Sequence, residues 1–75
     1  MTYQELTERV GWGEEFPFCY HGEKYWISQD EEGLYLTRVR GSMTQSFKTA
    51  EELFSNGKIE GKTLYELWDT IKDCF

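Results

Sequence analysis

A chain of 75 residues has material for one domain and one core, because proteins of this size bury only about 60% of the surface that their unfolded chains expose. Hydrophobic residues at 39%, aromatics at 17% and a single proline exclude a disordered or low-complexity chain, and no apolar run approaches the ~20 residues of a membrane span. The net charge of −6 opposes binding to nucleic-acid phosphates and steers toward basic partners, with solubility alone as the plain alternative use of that charge.

In chain order, Thr2 and Glu5 form the first of three Thr-x-x-Glu capping boxes. In such a box the threonine oxygen accepts from a free amide of the first helical turn and the glutamate accepts from the threonine N–H. The box predicts a short helix with Tyr3, Leu6 and Val10 on one side, ended by Gly11-Trp12-Gly13. Strands are expected near residues 15–21, 24–29, 34–40 and 43–48, with Phe16, Phe18 and Tyr20 alternating in the first and Tyr25 and Ile27 in the second. The first two straddle Gly22 as a hairpin. With Gly22-Glu23 as the loop, Tyr20 faces Tyr25, Phe18 faces Ile27, and Glu15 and Glu14 fall opposite Asp30 and Glu31. A loop at His21-Gly22 shifts the register by an even number and keeps every side chain on its face. Asp30-Glu31-Glu32-Gly33 suits a tight turn with Gly33 left-handed, and Gly41-Ser42 suits another.

The second box, Thr49 and Glu52, predicts a short helix from Ala50 to about Ser55, stopped by Asn56-Gly57, residues that tolerate a left-handed conformation. The third, Thr63 and Glu66, opens the best-defined helix, with Leu64, Leu67, Trp68, Ile71 and Phe75 at helical spacing and Trp68 in the core. The expected fold is a single α+β domain over residues 1–75. An antiparallel meander of three to four strands packs against the C-terminal amphipathic helix, with short additional helices.

Charge is unevenly distributed: residues 1–32 carry −6, residues 33–48 carry +3 and residues 49–75 carry −3. Glu14, Glu15, Asp30, Glu31 and Glu32 converge on one end of the first hairpin, where mutual repulsion favours a neutralising partner. Ordinary solvation of a polar turn is the competing reading. Trp26 shares a face with Cys19, Lys24 and Ser28, away from the aromatic alternation, so it is either an exposed anchor or covered by Tyr3 and Leu6 of the first helix. Trp12 is a second candidate anchor. Arg38, Arg40 and Lys48 form the basic patch and read as charges guarding a sheet edge rather than as a nucleic-acid site.

Catalysis and cofactors find little support in these residues. Cys19 and His21 lie two apart on one face, yet there is no glycine-rich oxyanion loop and no evident group to orient the imidazole. Cys19, His21 and Cys74 lack structural-zinc spacing, and the carboxylates lack the spacing of a calcium loop. No catalytic residue, metal or cofactor is therefore expected. Met1 to Val10 shows no basic-then-apolar pattern, and two cysteines suit free thiols, so a cytoplasmic protein is expected.

The runs Phe18-Cys19-Tyr20-His21-Gly22-Glu23-Lys24-Tyr25-Trp26-Ile27, Phe47-Lys48-Thr49-Ala50-Glu51-Glu52-Leu53 and Ile59-Glu60-Gly61-Lys62-Thr63-Leu64-Tyr65-Glu66-Leu67-Trp68 resemble small uncharacterised proteins of Firmicutes and their mobile elements. In size and acidity the chain is also similar to phage-encoded inhibitors of bacterial defence of the anti-CRISPR kind. That resemblance implies a non-catalytic protein in a bacterial host cytosol that inhibits a nucleic-acid enzyme by occupying its basic surface. The residues expected to make the contact are Glu14, Glu15, Asp30, Glu31, Glu32, Trp26 and Trp12. The alternatives are a homo-oligomeric structural module packed through the Trp26 face and a thiol enzyme built on Cys19 and His21.

Overall fold

A computed structural model describes all 75 residues, Met1–Phe75. Helix α1 (Tyr3–Gly11) leads into strands β1 (Phe16–Tyr20), β2 (Glu23–Gln29), β3 (Leu34–Arg38) and β4 (Met43–Phe47), followed by helix α2 (Ala50–Asn56). A small hairpin, β5 (Lys58–Ile59) and β6 (Lys62–Thr63), then precedes helix α3 (Leu64–Ile71) and a 3₁₀ turn (Lys72–Cys74). The four long strands form an antiparallel sheet in the order β1-β2-β3-β4, so the fold is α+β as expected. The β5–β6 hairpin is an addition that the sequence pattern did not announce, because two-residue strands carry no readable alternation.

Each helix starts where a threonine caps it. In α1 and α3 the box is reciprocal: the N–H groups of Glu5 and Glu66 donate to Thr2 and Thr63 Oγ1, and the threonine N–H groups donate back to the glutamate carboxylates at 3.2 and 3.0 Å. In α2 only half the box forms. The Glu52 N–H donates to Thr49 Oγ1, but its carboxylate accepts instead from the Lys48 N–H at 2.9 Å. The cap therefore ties α2 to the end of β4.

One face of the sheet is closed. Phe18, Tyr20, Tyr25, Ile27, Leu34 and Leu36 alternate inward, and Leu6 and Val10 of α1, Leu53 and Phe54 of α2, and Leu64, Leu67 and Ile71 of α3 pack over them in one cluster. Tyr3 meets Phe54, Tyr65 and Trp68 edge-on, with ring centroids 5.0 to 5.7 Å apart, and so seals the seam between the helices. Trp68 flanks this core half-buried rather than filling it. The molecule is a slab of 30 × 29 × 18 Å, whose short axis is the depth of one sheet and one helical layer.

The turns decide one open alternative and correct one expectation. The first hairpin loop is His21-Gly22, with Tyr20 paired to Glu23, Phe18 to Tyr25 and Phe16 to Ile27. Both loop residues have positive φ, 51° and 76°, the twist that a two-residue hairpin turn requires. Gly33 and Gly57, by contrast, are not left-handed. Gly57 is extended at φ −69°, ψ 130°, and both glycines are required for space. A Cβ on Gly33 would strike the Phe47 carbonyl, and one on Gly57 would lie 2.5 Å from the Leu53 carbonyl oxygen and 3.4 Å from Leu36.

Gly57→Ala is therefore expected to destabilise the fold by about 1 to 3 kcal/mol, the usual cost of overpacking, seen as a Tm lowered by several degrees in thermal melts. Gly11→Ala, at a helical position where a Cβ meets nothing within 4 Å, should instead raise the Tm by a few degrees.

Candidate functional site

Because every helix lies on the same side, the other face of the sheet is bare. Its middle row runs Pro17, Trp26, Thr37 and Thr44 across the four strands. Trp26 is 44% exposed at the centre of this row, and Tyr3 and Leu6 lie on the opposite face, which decides between the two readings of this tryptophan. The Thr37 and Thr44 hydroxyls join at 3.1 Å beside it. Around Trp26, the residues Pro17, Cys19, Lys24, Val39 and Cys74 line an open, largely apolar groove of about 690 Å³. Val39 is 50% exposed. Sequence reading missed Pro17, Val39 and Cys74 as companions of Trp26, since their proximity depends on strand pairing and on where the C-terminal turn folds back.

The acidic end lies about 13 Å along β2 from Trp26, at ~3.3 Å per residue. The residues placed there by sequence do share one end, though not in the expected register. Glu14 and Glu15 sit beyond the β1–β2 ladder, beside Gln29 rather than opposite Asp30 and Glu31. The Gln29 amide clasps this end by donating to the Val10 and Glu14 carbonyls at 2.8 and 3.4 Å.

The five carboxylates are not equivalent. Asp30 Oδ1 accepts from the Glu32 N–H at 2.8 Å, the Gly33 N–H at 3.2 Å and the Tyr35 hydroxyl at 2.9 Å. It organises the turn, and these donors, led by the Glu32 amide, hold its carboxyl below the ordinary value of 3.8. The same bond pushes the Tyr35 hydroxyl above its ordinary 10.0. Glu14 lies 3.8 Å from the Arg9 guanidinium, and Glu15 accepts weakly from the Gln29 N–H at 3.4 Å. Glu31 and Glu32 have no side-chain partner within the molecule and project from the turn as free charges. Trp12, 73% exposed, caps the C-terminus of α1 and belongs to the helical layer, so it does not join Trp26 in one anchor.

The basic patch is largely spent. The Glu23 carboxylate lies 3.3 Å from Arg38 and 3.5 Å from Arg40, and neither arginine sits in β4, so they do not guard that edge from within. His21 has an orienting carboxylate that the sequence did not suggest: its Nδ1 lies 3.1 Å from Glu60 Oε2, and its ring stacks on Tyr20 at 3.8 Å. No hydrogen bond joins it to Cys19. No group of three or more His, Cys, Asp or Glu side chains is placed to hold a metal ion, and no helix is long and apolar enough to cross a membrane. The chain matches no protein family, no curated protein and no solved structure.

The Asp30 turn fixes a pH dependence. A carboxylate held below its ordinary value in the folded chain binds protons less readily there than when unfolded. Its contribution is therefore complete above about pH 4 and is lost as pH falls further. Glu5 and Glu66, lowered first by the Thr2 and Thr63 amides, act with the same sign. Urea titrations between about pH 5 and 2 should show stability falling with acid. Asp30→Asn, which keeps an acceptor oxygen and removes the charge, should flatten part of that fall.

Proposed function

We propose that this chain is a non-catalytic protein-binding module that lays its bare sheet face, centred on Trp26, and the adjoining acidic end against a basic surface of another protein. One observation carries the reading: a half-exposed tryptophan stands at the centre of an uncovered sheet face in a molecule whose other large aromatic cluster is packed away. Tryptophan is the side chain most often found as an energetic anchor in interfaces.

Size brings the acidic end into the contact. Four strands of about five residues present a flat area on the order of 300 Å² at the usual strand spacing and rise. A stable interface takes about 800 Å² from each partner. The face must therefore be extended, and the end carrying Glu31 and Glu32, with Glu14 and Glu15 beside them, supplies further area of negative sign. A protein whose basic surface otherwise holds nucleic acid is the partner of matching chemistry. Occupying that surface would inhibit it, in line with the similarity in size and acidity to phage-encoded inhibitors.

The test is capture from a nuclease-treated bacterial lysate on three baits: the natural chain, Trp26→Ala, and Glu31→Lys with Glu32→Lys. A protein held by the natural chain should be released as salt rises from about 50 to 300 mM and should bind at least about tenfold more weakly to either variant bait. Equal retention on all three baits would refute the reading. A purified chain that sizes as a dimer, with the dimer lost on Trp26→Ala, would assign the face to a second copy instead.

A further inference from the structure

Cys19 and Cys74 are 55 residues apart in the chain, and the fold brings them together. Cys19 sits on β1, the outer strand of the sheet, with its side chain on the bare face and its carbonyl free at the strand edge. The Cys74 thiol donates to that carbonyl, with Sγ 3.3 Å from the oxygen. Both residues are exposed free thiols, and both line the groove beside Trp26. A carbonyl oxygen lies about 2.4 Å from its own Cα, so the Cys74 sulfur is within about 6 Å of the Cys19 Cα. A disulfide, whose Cα atoms usually lie about 4.4 to 6.8 Å apart, needs that sulfur to move from the Cys19 carbonyl to the Cys19 side chain. The remaining adjustment falls on the 3₁₀ turn Lys72–Cys74, which no side chain caps.

We infer that Cys19 and Cys74 are a thiol pair that closes to an intramolecular disulfide when the protein meets a low-molecular-weight disulfide such as oxidised glutathione. One cysteine thiolate attacks a sulfur of oxidised glutathione, forming a mixed disulfide and releasing one glutathione thiolate. The second cysteine attacks the protein sulfur of that mixed disulfide, forms the Cys19–Cys74 bond and expels the other glutathione. Two protein thiols are oxidised with loss of two electrons and two protons, and one glutathione disulfide is reduced to two thiols. The bond would staple the C-terminal turn to the edge of β1. Phe75, whose ring lies 5.9 Å from Phe16 and 5.2 Å from Phe18, would be held with it, and the wall of the groove next to Trp26 would be reshaped.

The experiment treats the folded protein with oxidised glutathione, without denaturant, and reads intact mass, free thiols and thermal melting. The natural chain is expected to lose the mass of two hydrogens, retain no glutathione, titrate no thiol and melt on the order of 10 °C higher, as closing so long a loop predicts. Dithiothreitol should reverse the changes in mass, thiol titre and melting. Cys19→Ser and Cys74→Ser should each retain one glutathione on the remaining thiol, which shows that each sulfur is reachable. A natural chain that keeps both thiols, retains glutathione as the stable product or links into dimers would overturn the assignment. None of these readouts requires a partner, so the outcome is independent of the proposed function.

Discussion

Ile27 and Leu36 face each other across the two inner strands, both closed off from solvent, and the helical layer is built over them. A chain this short has too few large apolar side chains to cover a sheet twice. Leu6, Val10, Leu53, Leu64, Leu67 and Ile71 all go to the same side, where they bury one another as well as the strands. At roughly 1.5 to 3 kcal/mol for each fully buried aliphatic side chain, splitting them between two faces would leave both cores too thin to offset the entropy of ordering the chain. The bare face follows from that shortage. Trp26 is exposed because nothing remains to cover it.

The ends of the slab are held by turns rather than by the core. His21-Gly22 and Glu60-Gly61 are both two-residue hairpin loops with positive φ at each position, and in each the first residue is not glycine. Left-handed backbone costs an ordinary side chain about 1 to 2 kcal/mol. The two loops meet through His21 and Glu60 at 3.1 Å, so the strained residues of one hairpin brace those of the other. At the opposite end the Gln29 amide clasps the α1 terminus, and Asp30 ties three donors into the β2–β3 turn.

These uses separate the carboxylates by task. Glu5, Glu66 and Asp30 accept backbone N–H groups and are held in their charged form by the fold itself. Glu23 neutralises the arginines at the basic end, and Arg9 stands near Glu14. Glu31 and Glu32 are left without an internal task, as Glu51 and Asp73 are elsewhere, and they are neighbours in the turn beside the Gln29 clasp. A cluster that the fold neither pairs nor buries raises the energy of the free protein, and a cationic surface relieves it. In the proposed contact, charge at this end and an apolar anchor on the adjoining face would be met by one partner.

What was legible in the residues is what is decided within a few positions of chain. The threonine caps, the helix faces of α1 and α3, the alternation of the first hairpin and the place of the turn at Asp30 rest on hydrogen bonds and periodicities spanning two to five residues, and the sequence alone determined them. The exposure of Trp26, the register at His21-Gly22, the crowding that requires Gly33 and Gly57, the bracing of His21 by Glu60 and the meeting of Cys19 with Cys74 were decided only in three dimensions. Each depends on which face the helices choose and on atoms brought close from distant parts of the chain. Alternation states that a strand has two faces and is silent on which one will be covered, because that choice is made by the packing of all the apolar side chains at once.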